Sequence, residues 1–391
     1  MKLKLIIYGL LVVTGLQAQS TLDEVLQQVQ QNNKTLQALR QSTEATKLEN
    51  KTGLNPSNPE AEIGYLWGSP EAIGNRTDFS VTQSFDFPTA YHYRNKRAGS
   101  LNEQAENEYR EQFNLVMLQA RLISHELIYL NGLQVHFSER LAHAQKLADA
   151  YHRKFETGDV NILERNKADL NLLTAKNKLA GIEADREAVA EQLQALNGGE
   201  PIQLITGLWP SVDLPADFDS WFNDQVSGMP QLQSMEQSLA ASRYQEQLSK
   251  ALSLPKMSAG YTSERVVGES FSGVSVGLTI PLWENKNTVK QVKMQSLAVE
   301  NQMADTRLQL YHGLKALYEK AQQLQQSTSE YHQAFETLNN NDLLLTALDS
   351  GEISVLEYLM ELSIYYDTIE MALETERDLQ DTVARLLAFQ P

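Results

Sequence analysis

FETGDVNILE, Phe155–Glu164, and LDSGEISVLE, Leu348–Glu357, say nearly the same thing twice. Gly351 stands 193 positions after Gly158 (351 − 158), and each decapeptide interrupts a long helix-forming run. Pro281 follows Pro88 at the same interval, so the two halves of the chain superimpose without a gap over about seventy residues. Further upstream, Pro59–Tyr65 matches Pro255–Tyr261 at an offset of 196, and the small difference falls between paired strands. The chain reads as a tandem duplication.

What is duplicated follows from the prolines and from hydrophobic period. None of the eleven prolines falls between Pro88 and Pro201, or between Pro281 and Pro391. An interior proline costs a helix about 3 kcal/mol, so these spans, rich in Leu, Ala, Gln, Glu and Lys, predict long helices over 89–157 and 283–350. Gly158 and Gly351 break them, and return helices follow over 159–197 and 353–389. Shorter helices are expected over 21–53 and 229–254. In TDFSVTQSFDF, Phe79, Val81, Phe85 and Phe87 alternate with Asp78, Ser80, Thr82, Ser84 and Asp86. GVSVGLTIPL sets Val274, Val276, Leu278 and Ile280 against Gly273, Ser275, Gly277 and Thr279. Period two of this kind predicts strands with one apolar and one polar face, over about 60–67, 77–87, 257–264 and 272–282. The first repeat then spans 19–197 and the second 229–391, joined by a proline-rich connection, 198–228, whose Trp209 and Trp221 read as core plugs.

Composition narrows the function. Lys2 and Lys4 precede the apolar run Leu5–Val13 and a small-residue end at Ala18, the pattern of a secretory signal peptide over 1–18. No later stretch approaches the roughly 18 apolar residues of a spanning helix. There are no cysteines, hence neither a disulfide framework nor a thiol nucleophile. A net charge of −17 argues against nucleic acid as a partner and for cations. Phosphate-loop, G-x-S-x-G and HExxH patterns are missing, and no catalytic residue, cofactor or metal site is expected. His125, His136 and His143 fall on one helical stripe, too widely spaced along the axis to share a metal ion at about 1.5 Å per residue. They are expected on a solvated face.

Two-faced strands that cross a lipid bilayer must belong to a closed barrel, because lipid cannot satisfy a free sheet edge. Four strands cannot close one, whereas a cyclic oligomer can. On that reading Ile63, Tyr65, Trp67, Phe79, Val81, Phe85, Val276, Leu278 and Ile280 face lipid. Asp78, Ser80, Thr82, Ser84, Ser275 and Thr279 line a wet pore. Tyr91, Tyr93 and Arg94, with Trp283 at the matching place of the second half, then serve as membrane-interface anchors.

Hairpin, proline, long helix, glycine break and return, all duplicated, resemble the TolC-like family of outer-membrane efflux proteins over nearly the whole chain after residue 18. Within that family NPSNPEAEIGYLW, TQSFDFP followed by YHYRNKR, and GLTIPLWENKN are most similar to the heavy-metal efflux branch, the CzcC/CusC type. The lipidated cysteine that members such as CusC carry is absent, and the chain is short for the family. The resemblance implies a mainly α protomer with a β-barrel portion. Three copies would form a twelve-stranded outer-membrane barrel continued by a periplasmic α-helical tunnel. It implies a homotrimer in the outer membrane of a Gram-negative bacterium, with a periplasmic membrane-fusion adaptor and an inner-membrane pump of RND type as partners. Gly158, Asp159, Gly351 and Glu352 match the periplasmic tips where the adaptor docks. Glu164 and Glu357 match an acid at the constricted entrance, with Glu357 expected to face the pore axis; a further gate acid is unmatched, since Lys167 and Met360 stand there. The same acids also suit the N-terminus of a returning helix.

Two classes of function remain open on the sequence. One is a passive outer-membrane conduit for metal cations, drugs or type I secreted proteins. The other is a periplasmic or surface coiled-coil scaffold whose hairpins are only caps.

Overall fold

The computed structural model describes residues 21–204, 209–337 and 341–389. The leader read at 1–18 lies outside them. The described chain divides into two compact units, and each draws on both halves of the sequence. Of the described residues, one unit comprises 35–118, 213–323 and 382–389; the other comprises 21–34, 119–204, 209–212, 324–337 and 341–381.

The first unit holds a single antiparallel sheet in the order β1 (Glu60–Leu66), β2 (Arg76–Phe85), β3 (Lys256–Val266), β4 (Glu269–Thr279). Register decides what the alternation means. Ala61, Val81, Tyr261 and Val274 form one cross-strand row, and Glu62, Ser80, Thr262 and Gly273 form the next, on the opposite face. Gly260 is required at its place, since a Cβ there would lie 2.8 Å from the Val81 carbonyl oxygen. β3 and β4 are joined by Val267 and Gly268, both at positive φ, as the tightest hairpin turns demand.

Helical parts of this unit are α2 (Lys34–Glu49), α5 (Phe218–Gln225), α6 (Pro230–Ala251), and segments of α3 (Pro88–Thr157), α7 (Thr288–Thr337) and α9 (Val355–Leu387). Phe218, Phe222, Val226, Met229, Leu314, Tyr318 and Leu386 make its core. The proline-rich 198–228 connection thus contains a helix, α5. Asp217 caps α5 by accepting from the Ser220 amide at 2.7 Å, and Tyr318 donates to the Pro215 carbonyl at 2.9 Å. α7 begins at Thr288, not at 283, because Asn287 at φ 70° still belongs to the turn that Asn285 pins to the Leu252 carbonyl at 2.7 Å.

The second unit contains α1 (Leu22–Asn32), α4 (Ile162–Leu196), α8 (Asn341–Asp349) and the remaining parts of α3, α7 and α9. The 21–53 helix expected from sequence is two helices, since α1 stops at Asn33, whose side chain donates to the Leu196 carbonyl at 2.7 Å. Ala148 and Tyr151 of α3, Ala168 of α4, Leu348 of α8, and Val355, Tyr358, Leu362 and Tyr366 of α9 form one buried cluster. The two glycine breaks flank it.

Candidate functional site

The sheet has an apolar face that stands exposed among the described residues. Val274 is 86% exposed, Val276 82% and Ile63 76%, and Leu278, Tyr65, Tyr261 and Phe79 share that face. Isolated exposed apolar residues are ordinary, but a contiguous group of them on one sheet face, giving way to Thr77, Ser263, Arg265, Ser270 and Ser272 near the β3–β4 turn, marks contact with lipid or a partner. The opposite face carries Glu60, Glu62, Asp78, Ser80, Thr82, Ser84, Thr262, Glu264 and Ser275. On it Arg76 donates to Asp78 at 2.8 Å and reaches Glu264 at 3.2 Å. Seven of the nine apolar positions and all six polar positions assigned from sequence alternate as read within the paired strands; Trp67 and Ile280 lie one residue beyond the ends of β1 and β4. The alternation fades toward the β3–β4 turn, where Phe271 lies on the polar side. The outer edges of β1 and β4 have no partner strand among the described residues.

Where β2 passes into α3, the backbone turns at Pro88 and Asp86 organises the corner. Its amide donates to the Tyr91 hydroxyl at 2.9 Å, its carboxylate pairs with Arg94, and the Arg94 guanidinium lies 5.2 Å from the centre of the Tyr91 ring. Tyr93 instead packs toward Ala90, Leu248 and Ala251. Trp283 is 79% exposed. Asp86, one more polar residue in the alternating pattern of the sequence, thus fixes two of the expected anchors, Tyr91 and Arg94.

The twin decapeptides form the same helix stop and start. Gly158 (φ 80°) and Gly351 (φ 74°) end their helices in left-handed conformation. Asp159 N donates to Lys154 O at 2.8 Å and Glu352 N to Ala347 O at 2.9 Å, while Gly158 and Gly351 donate three residues back. This is the Schellman pattern, repeated bond for bond. Three residues on, Asn161 and Ser354 open the next helices. The Glu164 carboxylate accepts from the Asn161 amide at 3.1 Å and the Glu357 carboxylate from the Ser354 amide at 2.8 Å, closing a capping box at each turn. The spacings N-x-x-E and S-x-x-E were the signal for it. The bond from the Ser354 amide first, and the nearby Ser354 side chain second, hold the exposed Glu357 carboxyl below its usual range. Asp159 and Glu352 sit exposed in the turns. The six residues singled out at the turns are thus brought together in two equivalent corners of one unit.

The histidine stripe corrects an expectation. His125 and His136 are buried, at 1% and 7% exposure, not solvated. His125 Nδ1 lies 2.8 Å from Asp381, and His143 Nδ1 lies 2.9 Å from the Tyr366 hydroxyl, both on α9. The His136 ring stands edge-on to Tyr366, its Nε2 buried without a partner. Burial, and secondarily Arg140, pushes His136 down to about 4, and burial pushes Tyr366 up to about 12. His143 is exposed, as expected, so the buried polar seam between helices comprises His125 and His136 alone. Among the described residues, no cluster of three or more His, Cys, Asp or Glu is placed to hold a metal ion, and no helix is long and apolar enough to cross a membrane.

The fold is that of known outer-membrane channels. The chain superimposes on CusC with a TM-score of 0.78 at 15% identity, covering 94% of this chain and 92% of that one. With the Campylobacter jejuni CmeC outer membrane channel the TM-score is 0.76 at 15% identity, over 94% and 84%. With the open state of the Neisseria gonorrhoeae MtrE outer membrane channel it is 0.71 at 14% identity, over 94% and 88%. No protein-family model matches the sequence, and comparison with curated proteins finds no match.

Proposed function

We propose that this chain is the outer-membrane channel component of a tripartite efflux system. Three copies join their four-stranded sheets edge to edge into one barrel, and their helices form a periplasmic tunnel. The observation that carries this reading is the sheet itself. It has one largely exposed apolar face, one polar face and two outer edges without a partner strand among the described residues, and closure by symmetry in lipid accommodates all three. Exposed Leu163, Leu170 and Leu173 on α4, and Leu356, Met360 and Ile364 on α9, give neighbouring copies apolar surfaces to cover. The likeness to solved outer-membrane channels supports the same assembly.

In this assembly the capped turns are the periplasmic tips. Asp159 and Glu352 meet the adaptor, and Glu357 and Glu164 stand at the entrance, where three copies of Glu357 make a carboxylate ring favouring cations. An inner-membrane pump delivers the cargo, and nothing is transformed on the way. Metal cations are the cargo implied by the resemblance of TQSFDFP and GLTIPLWENKN to the heavy-metal branch. Tyr91, Arg94 and Trp283 anchor the barrel at the lipid interface.

Fractionation of the expressed protein tests the assembly. A conduit resists salt and alkali, needs detergent and runs as three copies, whereas release by alkali as a free rod would favour the scaffold reading. Deleting the gene tests the cargo: sensitivity to copper, zinc or cobalt should rise, and sensitivity to a drug panel alone would overturn the metal assignment.

A further inference from the structure

A cavity of about 790 Å³ opens in the second unit, between the 209–212 segment, the last turns of α7 and the middle of α9. That lies within the range of small-molecule sites, about 300–1,000 Å³. Its walls are aromatic. Tyr331 and Phe335 stack with their ring centres 6.4 Å apart, Tyr365 stands edge-on to Phe335 at 6.3 Å, and Trp209 lines the same space. Among these rings lies one carboxylate, Glu376, whose side chain is 17% exposed. Gln380 donates to it at 3.3 Å and to the Pro210 carbonyl at 2.8 Å, so one side chain ties the carboxylate to the 209–212 segment. Its other oxygen is 3.9 Å from Nε2 of His332, whose side chain is 77% exposed. Thr328, also lining the cavity, has a buried hydroxyl oxygen that makes no hydrogen bond.

We propose that this cavity binds a flat aromatic molecule bearing one ammonium group. Ring faces attract both another ring and a cation, and a carboxylate set among apolar walls attracts a cation more strongly than one in open water. The ammonium group therefore lies against Glu376, the ring stacks within Tyr331, Phe335 and Trp209, and the Thr328 hydroxyl takes the remaining N–H. An anion would meet Glu376 unfavourably. A metal ion is not the ligand, because one carboxylate and one imidazole are too few donors and no larger cluster occurs among the described residues. The inference goes beyond the conduit reading and stands apart from it, since none of the residues lining this cavity is used there.

Titration of the detergent-purified full-length protein with naphthylmethylammonium, read by tryptophan-to-naphthalene energy transfer, tests it. Neutral naphthylmethanol and anionic naphthoate serve as probes of the same ring. Saturable binding of the cation, at least tenfold tighter than the neutral probe, with no saturation by the anion, is the expected result. Glu376→Gln should weaken the cation about tenfold and erase the preference, and Thr328→Val should weaken it severalfold. Glu374→Gln, on an exposed position of the same helix, should bind as the parent protein does. Equal affinity for all three probes, absence of saturation in the assembled protein, or an unchanged isotherm in a folded Glu376→Gln variant would overturn the proposal; the probe comparison needs no variant to fold.

Discussion

At the two turns, glycine and acid divide the work. Gly158 and Gly351 hold left-handed backbone that costs another residue about 1–2 kcal/mol, so Gly158→Ala or Gly351→Ala should lower stability by that amount. Gly99→Ala, within α3 and with open space around it, should instead gain up to about 1 kcal/mol. Denaturant titration followed by circular dichroism compares the two. Glu357 has a cap role the geometry shows and a pore role proposed for it. Glutamine keeps the first, since S-x-x-Q also closes a capping box, and removes the charge needed for the second. Glu357→Gln should therefore leave stability at pH 7 nearly intact while lowering cation selectivity in single-channel recordings; unchanged selectivity would leave Glu357 a cap alone. Its depressed folded pKa stabilises the turn above the unfolded value of 4.5 and is lost as pH falls through the folded value. The glutamine variant should lack that acid sensitivity. His136 works the other way in charge but not in direction. Buried neutral, with a folded value near 4 against 6.5 unfolded, it leaves stability unaffected above pH 6.5 and lowers it progressively from there toward pH 4. His136→Phe should flatten that part of the pH–stability curve.

Among the elements, the strands make the sharpest claim. Val276→Arg or Leu278→Arg should cost roughly 2–4 kcal/mol near a bilayer midplane and reduce assembled protein, while Ser275→Asn, on the other face, should spare assembly. Heat stability of the assembled species on a detergent gel reads both, and equal damage from the two faces would remove the barrel. Strands, glycine breaks and proline entries were legible in the sequence because each is a local signal: period two over ten residues, a residue tolerant of positive φ, a residue without an amide hydrogen. What was not legible depended on distant partners. Nothing near His125 announces Asp381, 256 residues away, so the buried part of the stripe, His125 and His136, read as solvated, while His143 is exposed as expected. The break after α1 carries neither glycine nor proline and exists because Asn33 reaches Leu196. α5 did have a local signal, Asp217 before Phe218, Trp221 and Phe222, hidden by the prolines around it. Of the candidate site, the two turns were placed from their repeat, while Asp86 and the cavity behind Trp209 needed the folded chain.

For the whole molecule the account turns on closure, because one copy supplies a sheet with two open edges and a bare apolar face. That claim can be tested cleanly because the chain has no cysteine to remove. Single cysteines placed in turn from Gly273 to Thr279, labelled with an environment-sensitive fluorophore in reconstituted vesicles, report contact with brominated lipid and with an aqueous quencher. A lipid-facing strand in a closed barrel gives strict alternation, with labels at 274, 276 and 278 quenched by lipid and those at 273, 275, 277 and 279 by the aqueous reagent. Aqueous quenching at every position, with no response to brominated lipid, would contradict it.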